Sequence, residues 1–151
     1  TEAEWEFACR AGTTSRYWTG HDVDSVLKAG WFQVNDGGRT HAVGELLANP
    51  FGLFDVHGNA WEWTADGWDE SWYQQFADKL AVDPVCPLTD HPVAMMKTGT
   101  WPAFEHFCRA ASRIPWPCDA RNSLQGMRVT LSVEAVQESV NAAAASMPDA
   151  E

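Results

Sequence analysis

Trp5, Ala8, Cys9 and Gly12 recur at helical spacing directly behind Thr1-Glu2-Ala3-Glu4, which has the Ser/Thr-x-x-Glu form of a capping box. The pattern predicts a helix with Thr1 as its N-cap and Gly12 at its end. No hydrophobic residue precedes the cap to staple the chain's entry, so further sequence is expected upstream. Over 17–67 the helical period gives way to dense Gly, Asn, Asp and Trp, which predicts short strands and ordered loops. Asn49-Pro50-Phe51-Gly52 suits a type I turn between two strand-like stretches. Acidic and aromatic residues mix over 65–83, residues 93–101 read as a strand ending in Gly99, and 109–113 and 126–131 read as closing strands. Val133, Val136 and Val140 then return to helical spacing in an Ala-rich acidic run with little to bury. That run predicts a weak helix fraying into a tail. The expected division is a domain over 1–131 and a tail over 132–151.

Composition narrows the partners. At 151 residues and 45% hydrophobic content the chain suits one globular domain that folds without metals or disulfides. Its formal net charge of −11 repels phosphate backbones and anionic lipid headgroups, so neither nucleic acid nor membrane is an expected partner. No apolar run approaches the ~20 residues that span a bilayer, and the chain reads as soluble. Nine Trp offer wide contact area with one N–H donor each, and most are expected in the core.

The usual catalytic signatures are missing. Cys9, Cys86, Cys108 and Cys118 form no C-x-x-C, and the histidines are scattered without a zinc-type cluster. No Gly-rich phosphate loop or G-x-S-x-G elbow occurs. What remains is the loop 55–62, where Asp55 and Glu62 bracket His57-Gly58-Asn59-Ala60. Gly58 can take positive φ and turn main-chain carbonyls toward a common point, and two carboxylates there begin an oxygen cage for calcium. Beyond the turn, Trp61 and Trp63 are expected to share the core face of a strand, with Ala60 and Glu62 on the other face. The alternative for this loop is a solvated acidic turn.

Six segments then stand in a recognisable order: Thr1-Glu2-Ala3-Glu4-Trp5-Glu6-Phe7, Asn49-Pro50-Phe51-Gly52-Leu53-Phe54-Asp55, Gly58-Asn59-Ala60-Trp61-Glu62-Trp63, Thr98-Gly99-Thr100-Trp101, Cys108-Arg109-Ala110-Ala111-Ser112-Arg113 and Gly126-Met127-Arg128-Val129. In this the chain resembles the formylglycine-generating, sulfatase-modifying family over residues 1 to about 130, as the C-terminal portion of a family domain. The resemblance implies an α+β, C-type-lectin-like fold with little regular secondary structure, here partial with its N-terminal part missing. It also implies structural calcium held by the side chains of Asp55 and Glu62 and the carbonyls of Gly58 and Ala60. The family's second calcium loop corresponds to 30–40, where only Asn35 and Asp36 are offered, and that site is not expected.

The family's cysteine oxidation uses two thiols in the loop after the strand end, where soft thiolates hold copper(I). Here that loop is Pro102-Ala103-Phe104-Glu105-His106-Phe107, with Ala103 where the first cysteine would fall. Copper is therefore not expected, and no catalytic residue is assigned. A half-cystine of some relatives falls on Cys9, but its partner position is Val129, so that disulfide is not expected either. Relatives that use non-heme iron draw on an additional helical domain, and His57 and His106 read instead as lone hydrogen-bonding histidines. The candidate ligand surface, where relatives bind substrate, is Trp101, Glu105, His106, Trp116 and Asp119. Two functions follow: a module without catalytic activity that binds a protein, peptide or glycan on a calcium-braced scaffold, or a formylglycine-generating oxidoreductase acting on sulfatases.

Overall fold

A computed structural model describes residues 1–90 and 92–145. The capping box forms: Thr1 Oγ1 accepts from the Glu4 N–H, and α1 runs over Glu2–Arg10. The helix ends one residue before the predicted stop, because Ala11 takes the left-handed conformation (φ 46°) and its N–H donates to Phe7 O. A second helix, α2, is a single turn over Val23–Val26 that the sequence pattern missed, capped by the Asp22 carboxylate on the Ser25 N–H.

The strands are β1 (Gly30–Trp31), β2 (His57–Gly58), β3 (Trp61–Gly67), β4 (Val93–Lys97), β5 (Ile114–Pro117) and β6 (Gln125–Gly126). β1 and β2 pair in parallel, and the other four form one sheet in the order β5-β4-β3-β6. The first closing strand is therefore displaced from the expected 109–113 to 114–117, which the prolines at 115 and 117 disguise as a turn. β5 is an edge strand, where a missing N–H is tolerated. The second, expected over 126–131, pairs only at Gln125–Gly126. The turn at Asn49 is present, with the Gly52 N–H donating to Asn49 O at 2.8 Å, but no strand directly adjoins it, β1 ending at Trp31 and β2 starting at His57. Asn49 is instead committed to α1, where its amide donates to the carbonyls of Ala8 (2.7 Å) and Cys9 (3.2 Å) at the helix C-terminus. α3 follows over Val133–Ala145 with its valines exposed, and the end of the expected tail lies outside the described residues.

α1 lies against β3 and β4 through charge rather than apolar surface. Lys97 on β4 is fully buried, 3.3 Å from Glu6 Oε2 and 3.8 Å from Glu2 Oε1, with its ammonium over the Trp5 ring. Glu2 also takes a two-pronged bond from Arg113, whose guanidinium stacks on Trp68 and Tyr73. A register break in β3 between Trp63 and Gly67 adjoins Asp66, which is buried and accepts from the Glu2 N–H at 2.6 Å. Burial pushes the Lys97 ammonium below its usual range, with Glu6 and Glu2 opposing that shift.

Two small apolar clusters, Tyr17, Val26, Phe32 and Cys108 in one and Cys9, Val56 and Ala110 in the other, meet at His57. Its ring sits edge-on to Tyr17 and is fully buried. The Trp18 N–H must donate to Nε2 (3.1 Å), so Nδ1 carries the proton and donates to Cys108 O (2.8 Å). Burial lowers the imidazole's pKa from 6.5 to about 4, fixing it neutral. His57 is a core hydrogen-bonding residue, as expected.

Two outcomes follow. Lys97→Met removes the buried ammonium that Glu6 and Glu2 share, leaving them, among the described residues, only Arg10 and Arg113 as charged partners, and should lower the urea-unfolding free energy by about 3 kcal/mol. Adding Glu6→Gln, which removes the carboxylate nearer the lost ammonium, should recover part of that loss, and purely additive losses would contradict the network. For His57, the folded pKa lies below the unfolded value, so its contribution is complete above pH 6.5 and declines as pH falls toward 4. That interval corresponds to roughly 3 kcal/mol, and His57→Gln should have a correspondingly shallower loss of stability across it. Equal acid slopes for the two proteins would show that His57 is not held neutral.

Candidate metal centre and the loop after β4

The centre is built on a run of unusual backbone. Asp55 (φ 57°) and Gly58 (φ 96°) both take left-handed conformations. At Gly58 a side chain would overlap the carbonyl of Trp31, so the β1–β2 pairing itself demands glycine there. Asn59, also left-handed, exchanges two hydrogen bonds with the His41 backbone, while the His41 ring stacks on Trp31 at 3.6 Å. The segment from Asp36 to Gly44 is thereby fastened over the loop.

Asp55, Gly58, Ala60 and Glu62 all line one cavity of about 580 Å³. Asp55 is 6% exposed, and its Oδ2 accepts from the Gly44 N–H at 2.8 Å. Its Oδ1 is buried without a hydrogen-bond partner among the described residues. An orphaned carboxylate oxygen with a second carboxylate on the same cavity fits a hard cation. Glu62 differs. Its Oε2 accepts from the Trp5 indole N–H (2.8 Å) and from Arg128 Nε (3.0 Å), and its Oε1 accepts from Arg128 Nη2 (2.8 Å). Arg128 Nη2 also donates to Phe54 O, so the guanidinium forms part of the cavity wall. Sequence reasoning missed Arg128, although its place between the exposed Met127 and Val129 points it inward. Of the two tryptophans expected in the core, Trp61 is buried and Trp63 only half-buried.

Beyond β4, Thr98 and Gly99 turn the chain (φ 86° and 91°), and the loop closes with a single 3-10 turn over Glu105–Cys108. Gly99 abuts Cys108 so closely that any side chain would overlap its sulfur. Burial raises the Cys108 thiol to about 12, which opposes the thiolate needed of a nucleophile or soft-metal ligand. All four cysteines are free, and only Cys118 is not fully buried. Among the described residues no three His, Cys, Asp or Glu gather as a metal-ligating group.

The five candidate ligand residues lie on two segments, Trp101, Glu105 and His106 in the loop after β4 and Trp116 and Asp119 in and just after β5. Trp101 is half-buried and its N–H donates to Asn59 O; Glu105 offers its carbonyl to the Tyr17 hydroxyl. His106 is exposed between the rings of Phe104 and Phe107. Trp116 sits half-buried in β5, and Asp119 is exposed just after it. None of the five lines this cavity or the larger one of about 760 Å³ between α1 and residues 128–132.

Comparison with known proteins agrees with this architecture. Residues 1–133 match the family model for the sulfatase-modifying factor enzyme 1-like domain. The chain is 34% identical over 128 residues to a formylglycine-generating enzyme of Thermomonospora curvata, covering 75% of this chain and 42% of that protein. It is 32% identical to the serine/threonine-protein kinase pkn1 of Chlamydia caviae, covering 89% of this chain and 21% of the relative. PvdO of Pseudomonas aeruginosa superposes with a TM-score of 0.72 at 26% identity, over 84% of this chain and 49% of PvdO. The chain thus spans less than half the length of each of these proteins. With six landmarks in order, the C-type-lectin-like α+β fold and a family match over nearly its whole described length, the chain belongs to the sulfatase-modifying factor family.

Proposed function

We propose that this chain is a sulfatase-modifying-factor-like domain that binds a protein, peptide or glycan on a calcium-braced scaffold and does not itself oxidise cysteine. The observation that carries this reading is the contrast between the two halves of the site. Asp55, with its orphaned Oδ1, and Glu62 share one cavity, whereas the loop 102–107 has no thiol and Cys108 is buried with its proton held tightly. Calcium would be held by the Asp55 and Glu62 side chains and the Gly58 and Ala60 carbonyls, neutralising the charge of the two carboxylates. The ligand surface would comprise Trp101, Glu105, His106, Trp116 and Asp119, where half-buried indoles beside the exposed His106 and Asp119 suit recognition by loops. Its place within a longer chain is supported by the kinase relative, of which the matched region is about a fifth.

The second reading, a formylglycine-generating oxidoreductase, is favoured by the name of the Thermomonospora curvata relative. The two readings separate in one assay. Incubated with copper(I), oxygen, a thiol reductant and a sulfatase-type Cys-x-Pro-x-Arg peptide, this chain should leave the peptide mass unchanged. Turnover that is lost in Cys108→Ser or Cys118→Ser would establish the oxidoreductase.

The calcium brace is tested by melting. A cation bound only by the folded loop adds about 2.7 kcal/mol at a hundredfold excess over Kd, so chelation should lower Tm. Asp55→Asn should remove most of that response and Glu70→Gln, outside the cavity, should retain it. A chelator response of wild-type size in Asp55→Asn would make the loop an acidic turn only.

A further inference from the structure

We infer that Arg128 is a built-in counter-ion that competes with the bound cation for Glu62 and thereby sets the affinity of the centre; this rests on the calcium reading above. The geometry is specific. Arg128 bonds both Glu62 oxygens in a fork, at 2.8 Å through Nη2 and 3.0 Å through Nε, while Trp5 takes a further lone pair of Oε2 at 2.8 Å. A carboxylate has about four lone-pair directions, and three are engaged here. The one free direction, on Oε1, allows calcium a single bond to Glu62, and a two-oxygen grip requires an arm of the fork to open. Charge acts in the same sense. Asp55 and Glu62 bring two negative charges to the cavity, and the guanidinium on its wall cancels one of them. A divalent cation entering beside it meets a fixed positive charge at close range, in a site where Asp55 is almost wholly shielded from water. Asp55 lines the same cavity, and its unpartnered Oδ1 is a carboxylate oxygen that Arg128 does not engage.

Isothermal titration with calcium chloride, on the intact chain stripped by chelator, tests the inference. Arg128→Gln removes the charge and should tighten the calcium Kd by about tenfold or more. The metal-free variant should melt below the metal-free wild type, because Glu62 loses its partner. Arg128→Lys keeps the charge and should stay within a few-fold of wild type. In the wild type, the Arg128 Nε–H resonance should shift as calcium saturates the site, a readout that requires no variant to fold. An unchanged or weaker Kd in Arg128→Gln overturns the inference while leaving the calcium brace intact. So does wild-type calcium binding that leaves the Arg128 Nε–H resonance unmoved. Absence of calcium binding in wild type and variant alike overturns both.

Discussion

Everything near the candidate centre depends on how α1 is held against the sheet, and that contact is electrostatic. Lys97 is fully buried on β4, and among the described residues the charges paired with it are those of Glu2 and Glu6 on the helix. A buried ammonium without those carboxylates would lose its proton or leave the core, so helix and strand cannot separate independently. The helix so fixed also carries Trp5, whose ring lies beneath Lys97 and whose indole N–H reaches Glu62 at 2.8 Å. The same charge cluster that docks the helix thus orients one of the two carboxylates of the centre.

The opposite wall is set by main-chain geometry. Gly58 must approach Trp31, Asn59 grips the backbone of His41, and Asn49 ties the start of the loop to the carbonyls at the end of α1. His57 lies inside this frame with both ring nitrogens bonded, joining the two apolar clusters. In a domain with short strands, fixed polar contacts of this kind replace the continuous apolar core of larger sheets, and they leave the 55–62 backbone little freedom.

Much of this was legible along the chain, for identifiable reasons. The capping box at Thr1 is a local device and was readable locally, as was the positive φ at Gly58. Glu2 was not: a glutamate in the first turn reads as a dipole partner, and its burial depends on Arg113 and Lys97, far away in sequence. β5 was hidden by prolines that only an edge strand tolerates. The convergence of Asp55, Gly58, Ala60 and Glu62 followed from one bent loop, whereas Arg128 enters from the end of the fold and no short-range pattern pairs it with Glu62. The five residues proposed as a ligand surface came from order along the chain, which fixes segments but not whether they share a cavity.

The 102–107 segment carries no thiol, and in the proposed function the loop 55–62 is a cation brace. Two N–H groups report on its carboxylates directly: the Gly44 amide, bonded to Asp55, and the Trp5 indole, bonded to Glu62. A calcium titration of the nitrogen-labelled chain, followed by proton–nitrogen correlation spectra, should shift both resonances together and saturably, with Trp68 and Trp72 indoles unmoved. Spectra in which neither the Gly44 nor the Trp5 signal responds up to millimolar calcium would contradict it.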